Sequence, residues 1–151
     1  MKKYSYYIPV VFILLLFGFL ILFRGNMTRY ASHIMSNGME PKEKSIVEDI
    51  LSEQYDYSKN MLGYECTFLE FGAVGCSSCR QMEAVMAEIK QQYSNRVQVV
   101  FVNVSQKESR ELVDYFGIVT IPTQVLLDRN GKEYFRHNGY LSADDLSRHF
   151  K

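Results

Sequence analysis

Two cysteines stand three positions apart in the stretch GAVGCSSCRQME, residues 72–83. A Cys-x-x-Cys pair can hold a metal, staple the chain, or cycle between dithiol and disulfide. Structural zinc asks for four ligands, usually two such pairs. The rest of this chain offers one more cysteine, Cys66, and three scattered histidines, His33, His137 and His149, so the ligand set is incomplete. As a staple the pair closes only a tiny loop and removes little entropy from the unfolded chain. The third use fits the position, at the end of an apolar run and the start of a helical pattern. A helix N-terminus carries free N–H groups and partial positive charge. Both stabilise a thiolate and lower its pKa. Cys76, in the turn, is placed to meet a partner sulfur, and Cys79, one turn into the helix, is more enclosed. On this reading Cys76 attacks a disulfide and Cys79 resolves the mixed disulfide. Arg80 adjoins the pair, where an arginine either favours the thiolate or is merely solvated.

These residues need a scaffold, and the flanking pattern supplies one. CTFLEFGA reads as a strand from about Cys66 to Phe71, with Glu70 its only acid. Residues 77–93 read as a helix with an apolar stripe of Met82, Val85, Met86 and Ile89. RVQVVFVNVS is apolar enough for a central strand covered on both faces. KESRELVDYFGI reads as a helix ended by Gly117. TQVLLDRNGKEYFRHNG is a hairpin that turns at Asn130-Gly131. LSADDLSRHFK closes the chain as a helix, opened by a variant capping box of Ser142 and Asp145. Upstream, a helix starting near Pro41 carries Ile46, Val47, Ile50 and Leu51 on one stripe. Strand, helix, strand gives a parallel pair with a right-handed crossover, and the hairpin adds antiparallel strands. The fold class is α/β, a mixed central sheet flanked by helices.

The amino terminus has a different character. Lys2 and Lys3 precede an apolar run from Tyr6 to Phe23, which Arg24 ends. A helix of about 18 residues reaches roughly 27 Å, close to the hydrocarbon thickness of a bilayer. Tyr4, Tyr6 and Tyr7 stand where interfacial aromatics sit. A cleaved signal peptide has a shorter core and a small-residue cleavage site, which LILFRGNMTRYAS does not offer directly after the run. The expectation is an uncleaved transmembrane helix over residues 1–24, with the following domain on the extracytoplasmic side. Residues 25–40, without clear period, are expected to be a linker with little fixed structure, and residues 41–151 the folded domain. Lysine plus arginine balance aspartate plus glutamate at 17 each, so no basic excess argues for a nucleic-acid partner. Three cysteines are too few for a disulfide scaffold.

The strand ending FLEFGA, the CSSC that opens a helix, the Ile121-Pro122-Thr123 some forty residues later, and the final hairpin and helix together resemble thioredoxin over about residues 45–151. The resemblance implies the thioredoxin fold and a thiol–disulfide oxidoreductase that needs no bound cofactor, because the dithiol carries the two electrons. It implies a cis bond before Pro122, with Thr120 and Ile121 beside it lining the substrate groove. It also matches Glu70 to the family's buried acid, usually an aspartate. A carboxyl there would accept the proton that Cys79 must lose; the alternative is a solvent-facing carboxylate at the strand edge. Four positions depart from the family: Gly75 replaces the usual tryptophan, Ser77-Ser78 the usual Gly-Pro, and Phe101 the lysine that often accompanies the acid. Residues 121–146 look like membrane-anchored bacterial thioredoxin-like proteins that accompany the cytochrome-c-biogenesis thiol transporter of the CcdA/DsbD type. Those are implied to take electrons through the membrane and reduce protein disulfides outside it. A disulfide-forming oxidant and a non-catalytic binding module of the same fold are the competing readings. Cys66 is either a buried, inert thiol or an auxiliary redox group, which would need exposure.

Overall fold

Residues 7–151 are described by the computed structural model. They run through α1 (Tyr7–Asn37), α2 (Pro41–Tyr55), α3 (Tyr57–Asn60), β1 (Cys66–Gly72), α4 (Ser77–Gln92), β2 (Val97–Asn103), a 3-10 turn (Lys107–Ser109), α5 (Arg110–Tyr115), β3 (Thr123–Leu127), β4 (Glu133–Asn138) and α6 (Ala143–Ser147). The sheet order is β2-β1-β3-β4. β1 pairs parallel with β2 and antiparallel with β3, which pairs antiparallel with β4.

β1 is buried at all seven positions. Successive strand side chains face opposite ways, and β1 supplies both layers of the core. Cys66 and Phe68 pack with Met82, Val85 and Ile89 of α4 and with Leu146 of α6. Leu69 and Phe71 pack with Val47 and Leu51 of α2 and with Phe116. The pairing also fixes direction. Gly72 meets Asn103, Phe71 meets Thr123, and Thr123 meets Asn138. The end of β1, the start of β3 and the end of β4 therefore lie together at one end of the sheet.

Three expectations are corrected. β2 is an edge strand, not a central one: among the described residues β1 is its only partner, and Phe101 is 42% exposed. Its apolar run still serves both faces of the sheet: Val97 and Val99 pack on the α4 side, Val100 and Val102 on the α2 side. On α2 the buried stripe is Val47, Leu51 and Tyr55, spaced four apart, while Ile46 is exposed. Residues 25–37, expected to lack fixed structure, continue α1 as helix to Asn37. Gly25 costs a helix interior only about 1 kcal/mol, and no proline stands between Pro9 and Pro41. At the end, the Gly38 N–H closes onto Ile34 O and Met35 O.

α1 is bent by 55° between Tyr7–Phe23 and Gly25–Asn37. No single helix among the described residues is long and apolar enough to cross a membrane; the bent pair together passes by length and composition. Lys2, Lys3, Tyr4 and Tyr6 lie outside the described residues. The second half of α1 sits against the domain. Ser32 Oγ donates to Phe116 O at 3.4 Å, and Arg136 Nη1 donates to Ser32 Oγ at 3.1 Å. The helix also comes close to Gly117, whose φ is +57°; a Cβ there would stand 2.2 Å from Ser32 O. Gly139 has φ +97° with open space around the same position.

The two glycines separate backbone strain from helix docking. Gly139→Ala should cost about 1–2 kcal/mol in urea unfolding, the left-handed penalty alone. Gly117→Ala should cost clearly more, because Ser32 must also move. Equal costs would mean that α1 does not seat on Gly117.

Candidate redox site

β1 delivers the chain to the site. After Gly72 the backbone turns through Ala73–Gly75 and enters α4 at Cys76. Gly75, at φ +89°, has nothing within 4 Å of its Cβ position; glycine is needed there for the backbone angle rather than for space. Cys76 is the N-cap of α4, and its sulfur accepts from the Cys79 N–H at 3.3 Å. Ser78 Oγ lies 3.2 Å from the same sulfur. Ser78 was not singled out in the sequence, although its place between the cysteines puts its hydroxyl within reach.

Cys76 and Cys79 form a disulfide, with their Cα atoms 5.2 Å apart. Their exposure differs as their positions in the helix suggested: Cys76 is partly accessible and Cys79 is 5% exposed. Arg80 is exposed. Behind the pair is Gly72, where a Cβ would stand 3.5 Å from Cys79 Sγ and 2.9 Å from Phe101 Cε2. The bare backbone leaves room for both the disulfide and the Phe101 ring.

Glu70, two residues before Gly72 on the same face of β1, is fully buried; it is not a solvent-facing carboxylate. Phe101 stands opposite it on β2 and Gln124 on β3. Burial without a counter-charge pushes its pKa up to about 8, partly offset by the hydrogen bond from Gln124. Gln124, missed in the sequence, was legible as the one amide in the apolar run TQVLL. Ile121–Pro122 is cis. It leads into β3 at the dithiol end of the sheet. Thr123 Oγ1 donates to Thr120 O at 2.7 Å, and the Gly139 N–H donates to Pro122 O at 2.8 Å. Thr120 and Ile121 are partly accessible, and Pro122 is buried. Cys66 lies at the far end of β1, wholly buried, and burial pushes its thiol up to about 11. That environment fits an inert thiol. Met82 is core filling. Asn103 Oδ1 accepts from the Ser105 N–H and shapes its own loop.

A family profile described as a thioredoxin-like domain matches residues 60–151. The chain belongs to the thioredoxin-like family. It is 31% identical over 87 residues to the chloroplast thioredoxin-like protein HCF164 of Arabidopsis thaliana, covering 58% of this chain and 33% of that one. It is 29% identical over 91 residues to a thioredoxin of Alicyclobacillus acidocaldarius, covering 60% and 84%. The chain thus spans about a third of the length of the chloroplast relatives. A solved thioredoxin-2 of the malaria parasite superposes with TM-score 0.50 at 27% identity, covering 54% and 77% of the two chains. Thioredoxin O2 of Arabidopsis thaliana, in its oxidised state, superposes with TM-score 0.54 at 17% identity, covering 72% and 90%, and shows the fold alone. Thioredoxin-like relatives are thiol–disulfide oxidoreductases, and the Cys-x-x-Cys pair of such a protein is present here.

Glu70 ties the site to stability. Its folded pKa, about 8, exceeds its ordinary value of 4.5. Below about 4.5 both folded and unfolded forms are protonated and the raised pKa costs no stability. Between the two values the unfolded chain sheds a proton that the folded protein keeps, so stability falls as pH rises. Glu70→Gln should therefore unfold at higher urea than the parent at pH 8, by several kcal/mol. The gain should shrink toward zero at pH 4. An equal difference at both pH values would show that Glu70 is ionised and compensated in the folded protein.

Proposed function

We propose that this protein is a membrane-anchored thiol–disulfide oxidoreductase that reduces disulfides of extracytoplasmic proteins. The observation that carries the redox assignment is the asymmetry of the pair: an accessible Cys76 capping a helix, a buried Cys79 behind it, and a buried carboxyl on the strand beneath. In the forward reaction the Cys76 thiolate attacks a substrate disulfide. A Cys76–substrate bond forms, and one substrate sulfur leaves as thiolate. Cys79 then gives its proton to Glu70 and attacks Cys76 Sγ. The Cys76–Cys79 bond forms, and the second substrate sulfur leaves with the electron pair. The substrate has been reduced by two electrons and the protein oxidised by two. Thr120, Ile121 and Pro122 form the edge of the groove along which an extended substrate lies.

Membrane attachment is supported by the apolar first half of α1, whose Ile8, Phe12 and Leu15 are exposed. The reduced dithiol must be regenerated. An integral membrane thiol transporter of the CcdA/DsbD type is the donor we assign, because it delivers electrons across the bilayer and an anchored domain stays near it. The substrates are disulfide-bearing proteins, including those of cytochrome c biogenesis.

Cys79→Ser should accumulate mixed disulfides through Cys76, visible as dithiothreitol-sensitive adducts on non-reducing gels of the membrane fraction. Adding Cys76→Ser should abolish them. Absence of adducts with Cys79→Ser would contradict the two-cysteine exchange. Adducts found only in the soluble fraction would contradict the membrane assignment and leave the redox assignment standing.

A further inference from the structure

Gln124 faces Glu70 directly across the β1–β3 ladder, and both side chains have no exposure. Residues opposed in this way share a face of the sheet, here the α4 face. Gln124 Nε2 donates to Glu70 Oε2 at 3.0 Å. Glu70 Oε1 and Gln124 Oε1 are buried acceptors with no partner among the described residues. Buried polar atoms are normally satisfied, and a carboxylate would leave both of these oxygens without a donor. One proton remedies both. On Glu70 Oε1 it turns that oxygen into a donor, and Gln124 Oε1, on the amide already bonded to the other carboxyl oxygen, is the unpartnered acceptor available to it. A neutral carboxyl and a primary amide can each present one donor and one acceptor along a shared edge.

We propose that Gln124 is a positioning residue that closes an acid–amide pair with Glu70, so that the oxidised protein stores one proton on Glu70 Oε1 for transfer to Cys79. This rests on the proton-carrier reading of Glu70. The raised pKa of Glu70 agrees with a stored proton at neutral pH. When an external thiolate attacks Cys76 Sγ, a bond forms to Cys76 and the Cys76–Cys79 bond breaks. The electron pair passes to Cys79 Sγ, which takes the proton from Glu70. The carboxylate left behind keeps the Gln124 Nε2 bond, which holds it in place for the reverse transfer. Gly72, two residues on from the acid on the same face of β1, carries no side chain, and a Cβ there would stand 3.5 Å from Cys79 Sγ.

The test uses the full-length protein, difference infrared spectroscopy and dithiothreitol as reductant. The oxidised parent at pH 6 should show a neutral-carboxyl band that Glu70→Gln abolishes. Gln124→Met, similar in volume but without amide, should keep the band and move it to higher frequency, because the carbonyl loses its donor. Reduction of the disulfide at pH 7 should slow about a hundredfold in Glu70→Gln, the lower range for a positioned proton donor. It should slow about tenfold in Gln124→Met, the loss of one hydrogen bond to an ionised group. Gln124→Leu gives the same reading if the methionine variant does not fold. An unshifted band with an unchanged rate in the Gln124 variants, alongside a slow Glu70→Gln, would overturn the pairing and spare the proton carrier. An unchanged rate in Glu70→Gln would overturn the proton carrier itself.

Discussion

A carboxyl with no counter-charge lies within a strand buried at all seven positions, and much of the site is organised around that one unfavourable placement. Glu70 could escape the cost only by leaving β1, and β1 cannot move. It is paired on both edges and packed on both faces, between α2 and α5 on one side and α4 and α6 on the other. The sheet therefore forces the acid to stay, and burial holds it largely protonated near neutral pH. A group that titrates close to the working pH is what proton exchange with a thiol requires. Stability given up at Glu70 is thus linked to chemistry at Cys79.

The same strand positions the sulfur chemistry. Its last residue, Gly72, has no side chain and lets Cys79 approach the sheet. The turn that follows places Cys76 at the first free N–H groups of α4, where negative charge on sulfur is favoured. The antiparallel neighbour β3 starts at the same end of the sheet, so the loop containing cis Pro122 lies at the dithiol end although it is distant in sequence. Sheet register, rather than local sequence, brings these residues together.

Much of this was legible in the amino-acid sequence because it depends on short-range pattern. The α4 stripe of Met82, Val85 and Ile89, the Ser142–Asp145 cap and the cysteine spacing need only helical periodicity and turn chemistry. Positions that depend on distant pairing were hidden. β2 reads as a central strand because its composition reports apolar contact and says nothing of which edge is paired. Gln124 stood in plain view in an apolar strand, but its partner is 54 residues away and only the β1–β3 register reveals it. The helical course of residues 25–37 was obscured because their weak periodicity matches a helix that touches the domain mainly at Ser32.

The direction of electron flow is the central claim, and the equilibrium reduction potential of the Cys76–Cys79 pair addresses it most directly. It is read by titrating the protein against glutathione or dithiothreitol buffers at pH 7. The account predicts a value near about −270 mV, the region of a reducing thioredoxin. A value near about −120 mV, that of a strong oxidant, would contradict it and make this protein a donor of disulfides.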